Sequence, residues 1–103
     1  MKGPDTAFRQ WQCGLASCND NRFAEAETHF LRAIELADRA GRDSMLANAL
    51  IAYAGLLVKL RRPQEAIAMY ERRLALKRFR NEDRLERRCT AELLVELKEK
   101  IGV

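Results

Sequence analysis

The sequence predicts an all-α fold in which five helices form antiparallel hairpins stacked side by side. Ala, Leu, Glu and Arg, which are all good helix formers, dominate the composition. Five glycines and two prolines in 103 residues are too few for an all-β fold with a turn about every ten residues. The chain also repeats itself, because residues 22–36 and 62–76 are identical at five of fifteen positions.

Helical periodicity and turn residues delimit the five helices. They are predicted at about residues 6–19, 23–40, 44–60, 63–80 and 84–101. Gly41 and Asn81, forty residues apart, tolerate the left-handed conformation that follows a helix end. Asp43 and Asp83 are placed to cap the next helix. Pro63 suits the first position of the fourth helix, because no backbone N–H is needed there.

The repeated residues of the second and fourth helices predict how the hairpins pack. A small residue is followed four positions later by an aromatic one and then by an aliphatic one, all on one helix face. The pairs are Ala26 and Ala66, Phe30 and Tyr70, and Ile34 and Leu74. We expect the alanines to let neighbouring helices approach and the aromatic rings to fill the space between hairpins.

This pattern resembles the tetratricopeptide repeat (TPR), a helix–turn–helix unit with the motifs W-x₂-L-G-x₂-Y and A-x₃-F. Ala26-x₃-Phe30 and Ala66-x₃-Tyr70 match the second motif, and Gly14 and Ala54 lie at the small-residue position of the first. The resemblance implies a short right-handed superhelix formed by a single domain over residues 1–103. Its parts would be one repeat at about 5–41, a second at about 43–81 and a fifth, capping helix at about 83–101.

The sequence departs from the usual family pattern in three respects. The period is forty residues rather than 34, which implies longer second helices. The terminal proline of the motif is absent. Arg73 stands where the first repeat has Ala33, so we expect different packing at that point of the second repeat.

The resemblance also implies a concave groove, lined by the first helix of each repeat, that binds a peptide or a partner helix. We call this predicted surface the groove. Its residues are Phe8, Trp11, Leu15 and Cys18 from the first helix, Asn48, Ile51, Gly55, Val58 and Lys59 from the third, and Ala91, Val95 and Lys98 from the fifth. Most of these side chains are apolar, which suits an amphipathic helix or an apolar peptide.

An alternative alignment buries the apolar stripe of the first helix in the core. One extra residue in the first turn would put Trp11 at the tryptophan position of the family motif. The ungapped alignment keeps Gly14 at the glycine position but directs Gln10 and Ser17 toward the packed side. The sequence leaves open whether Trp11 faces the groove or the core.

The net charge of +4 is concentrated in residues 72–88. The basic residues of this segment are Arg72, Arg73, Lys77, Arg78, Arg80, Arg84, Arg87 and Arg88. They predict either a contact surface for an acidic protein or nucleic acid, or a solvated face with weak ion pairs. Phe79 is the only aromatic residue among them, so base stacking, and with it nucleic acid, is disfavoured.

The sequence contains no pattern that predicts catalysis, a cofactor or a metal site. The single histidine, His29, is expected on the outer side of the second helix, and no phosphate loop or HExxH motif is present. Cys13, Cys18 and Cys89 lack metal-ligand spacing and are expected to be reduced thiols. No membrane span or secretory signal is evident, so a cytoplasmic location is expected.

We therefore expect a non-enzymatic adaptor, scaffold or regulator that binds a protein or peptide in the groove. One alternative is a chaperone-like protein that shields a client helix. Another is a basic module that contacts an acidic protein surface, or less favourably nucleic acid, through residues 72–88. Self-association through the first or fifth helix is a further alternative, because a short stack leaves its ends incompletely covered.

Overall fold

The computed structural model describes residues 6–76 and 84–102, with the side chains of the fifth helix described from Arg88 onward. Within these residues there are five helices and no strand. The helices are α1 (Ala7–Asn19), α2 (Phe23–Arg39), α3 (Asp43–Lys59), α4 (Pro63–Leu74) and α5 (Arg84–Lys100). The predicted all-α class and its five helices are therefore confirmed.

Each helix packs against the next one along the chain, and α1 also contacts α3. The α1–α2 and α3–α4 hairpins thus lie side by side, with α5 against α4. The predicted packing residues of α2 and α4 occupy the core between them. Ala26 and Ala66 are fully buried, and Phe30 and Tyr70 are buried four residues further along each helix. The small–aromatic pattern in the sequence predicted this arrangement correctly.

Three turns of the same geometry connect the first four helices. In each, one residue adopts the left-handed conformation, with φ of 61° at Asn21, 65° at Gly41 and 62° at Arg61. The N–H of the following arginine then bonds to the carbonyl five residues earlier, which is the Schellman closure of a helix. These bonds are Arg22 to Ser17 at 2.8 Å, Arg42 to Ala37 at 3.0 Å, and Arg62 to Leu57 at 2.9 Å. The turns therefore recur every twenty residues, half the period found in the sequence.

The predicted cap of α3 is wrong by one residue. Arg42 is the N-cap, and Asp43 is the first helical residue. The Schellman turn determines this position, because the residue after Gly41 already donates its N–H to the preceding helix. The Asp43 carboxylate instead lies in the first turn, where the helix dipole favours a negative charge. The corresponding pair Asn81 and Asp83 lies outside the described residues.

The predicted end of α4 near Arg80 is also wrong, because the helix ends at Leu74. Its last turn tightens: the Ala75 N–H bonds to the carbonyls of Glu71 and Arg72, and the Leu76 N–H bonds to that of Arg73. Hydrogen bonds to the third preceding residue are typical of a helix that closes. Consequently α4 has 12 residues, whereas α2, its counterpart in the first repeat, has 17.

Candidate partner-binding groove

The predicted groove residues of α1, α3 and α5 are unevenly exposed. Six large apolar side chains are exposed among the described residues, and four of them belong to the groove. These four are Phe8 (52% exposed), Leu15 (38%), Val58 (43%) and Val95 (54%). Lys59 is also exposed, whereas Trp11, Cys18, Asn48 and Ile51 are half-buried. Four predicted groove residues are thus accessible apolar side chains, while the groove and its role in binding stay predictions.

Gly14 determines how α1 is rotated against α2. A Cβ atom at this position would lie 2.4 Å from Cε1 of the buried Phe30 ring, so only glycine permits this contact. Ser17, one turn further on, is buried, and Gln10 is half-buried with its side-chain oxygen 2.7 Å from Nδ1 of His29. These are the orientations that the ungapped alignment requires. His29 accordingly faces α1 and is not the fully outward residue that the sequence suggested.

Trp11 lies at the boundary between the groove and the core. Its side chain is half-buried and packs against the core cluster. The indole Nε1 is buried, and within the described residues it has no hydrogen-bond partner. The Phe8 ring lies against the indole, with 5.7 Å between the ring centroids and 44° between the planes. The half-buried Trp11 ring therefore packs against the exposed Phe8 ring and is itself only partly accessible.

A cavity of about 200 Å³ separates α3 from α5 within the groove. Gly55 and Val58 line one side, Leu93 and Leu97 line the other, and Tyr70 of α4 also contributes. Nothing described lies within 4 Å of a Cβ atom placed at Gly55, so the missing side chain keeps this cavity open. The contributions of Tyr70, Leu93 and Leu97 were missed from the sequence. The available signal in the sequence was a glycine in the middle of a predicted helix, Gly55.

Comparison with known protein families matches residues 10–78 to the tetratricopeptide repeat. The chain belongs to the tetratricopeptide repeat family. The match begins within α1, includes the α1–α2 and α3–α4 hairpins and ends before α5. Comparisons with curated proteins and with solved structures returned no match. TPR units generally mediate protein–protein interactions and are typically non-enzymatic, which agrees with the class expected from the residues.

A polar network joins the two TPR hairpins. The Tyr53 hydroxyl of α3 donates to Oε2 of Glu27 on α2 at 2.6 Å, and Nη1 of Arg62 donates to the same oxygen at 2.7 Å. Arg62 also donates to both carboxylate oxygens of Glu65. Burial, followed by the Glu27 hydrogen bond, raises the pKa of Tyr53 to about 12. The hydrogen bond from Arg62 lowers the pKa of Glu65. The network therefore holds α2, α3 and the start of α4 in register.

Lys59, a predicted groove residue near the end of α3, is exposed and packs beside Phe23 of α2. Its Nζ lies 5.5 Å from the centroid of the Phe23 ring, within the range of a cation–π contact. Burial raises the pKa of the nearby Cys18 thiol, and the Lys59 charge partly offsets that rise. Both effects act on the pKa of Cys18, and burial is the larger of the two.

The predicted basic patch is wrong at Arg73. This side chain is only 1% exposed and fills the space between α3, α4 and α5. Its Nε donates to the Ala47 carbonyl at 3.1 Å, and its Nη1 donates to the Thr90 hydroxyl. Arginine was expected on the surface because a buried guanidinium is rare unless several acceptors satisfy it.

The remaining basic residues are only partly described. Arg72 is exposed and lies 3.5 Å from Asp38, and Arg88 is exposed and lies 3.5 Å from Glu92. Lys77, Arg78 and Arg80, as well as the side chains of Arg84 and Arg87, lie outside the described residues. Exposed ion pairs of this kind contribute little to stability. A basic contact surface there stays a prediction.

The described part of the chain contains no group of three His, Cys, Asp or Glu side chains that could hold a metal ion. Within the same residues, no helix combines the length and apolar character that crossing a membrane requires.

Proposed function

We propose that this TPR protein is a non-enzymatic binding module that holds an apolar or amphipathic segment of a partner protein in the groove. One observation supports the proposal: four of the six exposed large apolar side chains of the described residues are among those predicted to line the groove from α1, α3 and α5. Contiguous exposed apolar surface is typical of protein interaction sites. An amphipathic helix would bury its apolar face on such a strip.

The test is a selection from a random peptide library displayed on phage, followed by affinity measurements on purified variants. Val58→Asp places a charge in the groove at a position that is 43% exposed. The matched control is Leu31→Asp, on α2 outside the groove, where the side chain is 48% exposed. We expect selected peptides with apolar residues at helical spacing. Val58→Asp should weaken them at least ~10-fold and Leu31→Asp less than ~2-fold, because a buried unpaired charge is strongly unfavourable.

Salt dependence separates this function from binding by the basic segment. Burial of apolar surface should persist between about 0.1 and 0.5 M salt, whereas charge-driven binding weakens steeply. Circular dichroism should give both variants the helical content of the wild type. Equal losses for Val58→Asp and Leu31→Asp, or a steep loss of affinity with salt, would contradict the proposal.

A further inference from the structure

A hollow with a volume of about 610 Å³ opens at the end of the stack where α1 and α3 begin and α2 ends. We call it the end hollow. Its apolar wall includes Phe8, Leu36 and Met45, and its charged lining consists of Arg39 and Arg42. Phe8 is half-exposed and is also the outermost residue of the groove on α1. The end hollow therefore continues the groove and adds charge to it.

The two arginines of the end hollow differ in how they are neutralised. Arg39 Nη2 lies 2.9 Å from Oε1 of Glu35, one helical turn away, so its charge already has a counter-ion. The Arg42 side chain has no ion pair or hydrogen bond within the described residues. Asp43, the nearest acidic residue in sequence, lines an adjoining cavity of about 410 Å³ beside Arg42 rather than the end hollow itself.

Among the residues that the structure describes, the end hollow thus combines an apolar wall with a guanidinium that lacks a counter-ion, and none of its described lining residues carries a carboxylate. A purely apolar ligand would leave the Arg42 guanidinium without a counter-ion, and a simple anion would leave the apolar wall exposed to solvent. A carboxylate beside a large apolar side chain matches both, because guanidinium groups bind carboxylates in a fixed geometry.

We infer that the end hollow binds the part of a partner peptide in which an acidic residue adjoins a large apolar one. This inference rests on the proposed function, since it specifies one end of the segment held in the groove. The acidic side chain pairs with Arg42, and the apolar one packs against Phe8 and Met45. The end hollow thereby sets the direction in which the partner lies across α1 and α3.

The test uses two peptide probes that differ only in charge, acetyl-Leu-Glu-Phe-amide and acetyl-Leu-Gln-Phe-amide. Each is titrated into the ¹⁵N-labelled full chain while amide shifts are followed. We expect the glutamate probe to shift the amides of residues 7–8 and 40–45 and to bind about 2- to 5-fold more tightly than the glutamine probe, as for a single exposed charged pair. Equal affinities, or shifts confined to other surfaces, would overturn the inference.

Arg42→Gln and Arg22→Gln form a matched pair of variants. Both arginines are N-caps that follow a left-handed residue, Arg42 at the start of α3 and Arg22 at the start of α2, which lies at the opposite end of the hairpins. Arg42→Gln should abolish the preference for the glutamate probe, and Arg22→Gln should leave it unchanged. Loss of the preference in both variants would show a general charge effect and overturn the inference.

Two further outcomes would also overturn it. Inorganic phosphate at matched ionic strength could produce the same shifts as the glutamate probe, which would identify a general anion site. In the second outcome, neither probe binds although Val58→Asp still weakens the binding of the library peptides. That result would support binding in the groove and contradict the ligand proposed for the end hollow. If Val58→Asp left the affinity for the library peptides unchanged while the glutamate probe still bound more tightly than the glutamine probe, the result would instead contradict binding in the groove.

Discussion

Two helical glycines stand in opposite surroundings. Gly14 is buried against Phe30, and a Cβ atom there would approach the ring to 2.4 Å. Gly55 is exposed, and nothing described lies within 4 Å of a Cβ atom at that position. Glycine in a helix interior costs about 0.5–1 kcal/mol relative to alanine. At Gly14 the close packing against Phe30 offsets this cost. At Gly55 no such contact offsets it, and the absent side chain leaves space in the cavity between α3 and α5.

Alanine substitutions at the two glycines should therefore act in opposite directions. Gly14→Ala should destabilise the protein by about 1–3 kcal/mol, because the buried ring cannot move aside without disturbing the core. Gly55→Ala should stabilise it by about 0.5–1 kcal/mol through helix propensity. Urea denaturation of the two variants provides the measurement. A stabilising Gly14→Ala would mean that α1 and α2 are packed less closely than the structure indicates.

Tyr53 links stability to alkaline pH. Its pKa is about 12 in the folded protein and about 10 in an unfolded chain, so folding favours the neutral phenol. The resulting stabilisation is fully present below about pH 10 and is lost as the pH rises toward 12. Since one pKa unit corresponds to about 1.4 kcal/mol, the loss should amount to no more than about 2–3 kcal/mol.

The matched variant for this prediction is Tyr53→Phe, which cannot ionise. Its free energy of unfolding should fall less than that of the wild type between about pH 9.5 and 11.5. This pH range covers most of the interval between the unfolded and the folded pKa of Tyr53. Tyrosinate absorbance should show late titration that Tyr53→Phe reduces but does not abolish, because burial also raises the pKa of Tyr70. Parallel stability curves for the two proteins would contradict the contribution of Tyr53.

At the scale of the helices, α5 is held by Arg73 as well as by apolar contacts. Leu94 and Leu97 of α5 are buried, and Thr90 of the same helix, which accepts a hydrogen bond from Arg73, is fully buried. In the first repeat the equivalent position is Ala33, which is also fully buried. The second repeat therefore replaces close packing by a long side chain that spans α3, α4 and α5. This replacement accompanies the early end of α4.

Thr90→Val should loosen α5 selectively. The valine keeps the shape but removes the hydroxyl that accepts the Arg73 hydrogen bond, which should cost about 1–3 kcal/mol. Hydrogen exchange should quicken in α5 more than in α1. The control is Thr28→Val, because the exposed Thr28 hydroxyl donates to the Ala24 carbonyl of its own helix at 3.1 Å and so links no second helix among the described residues. A uniform change in exchange along the chain would argue against a local role of Arg73.

The sequence predicted helix boundaries well wherever a turn residue marked them. Gly41 and Pro63 punctuate the chain, and α2, α3 and the start of α4 follow them closely. The end of α4 was not predictable, because Ala75 and Leu76 carry no turn signal and the helix closes through its own tightened last turn. Arg61 was also missed as a left-handed residue, since arginine has no intrinsic preference for that conformation.

Four residues that the family register assigns to the groove, Phe8, Leu15, Val58 and Val95, are exposed, and the groove itself stays a prediction. The surface shape at the end of the stack was not predictable from the sequence. The end hollow arises where three helix ends meet, and Arg39 and Arg42 come from two different helices. Periodicity within one helix carries no information about such a junction, so the end hollow required the packed structure.

At the scale of the whole molecule, the network of Glu27, Tyr53 and Arg62 joins both hairpins. Hairpins of this size are too small to be stable alone, and repeats depend on their neighbours. We therefore expect one cooperative unfolding transition. Trp11 fluorescence reports on the first repeat alone, since it is the only tryptophan, whereas circular dichroism at 222 nm reports on all helices.

The midpoints of the two signals in urea should agree within about 0.2 M, as for a two-state protein. Glu27→Gln, which weakens the link between the hairpins, should lower both midpoints together. Two separated transitions in the wild type would mean that the repeats unfold independently and that the network couples them weakly.

Because the same turn recurs every twenty residues, a further hairpin could be inserted into the chain at one of these turns. A copy of residues 21–60 inserted after Leu60 would begin with Asn21 in the left-handed position that Arg61 now occupies. The next residue, Arg22, would stand where Arg62 now bonds to Glu27. Both junctions would thus reuse turns and partners that the chain already contains. Longer arrays could be built from the native segments alone, with one additional hairpin for each forty residues added.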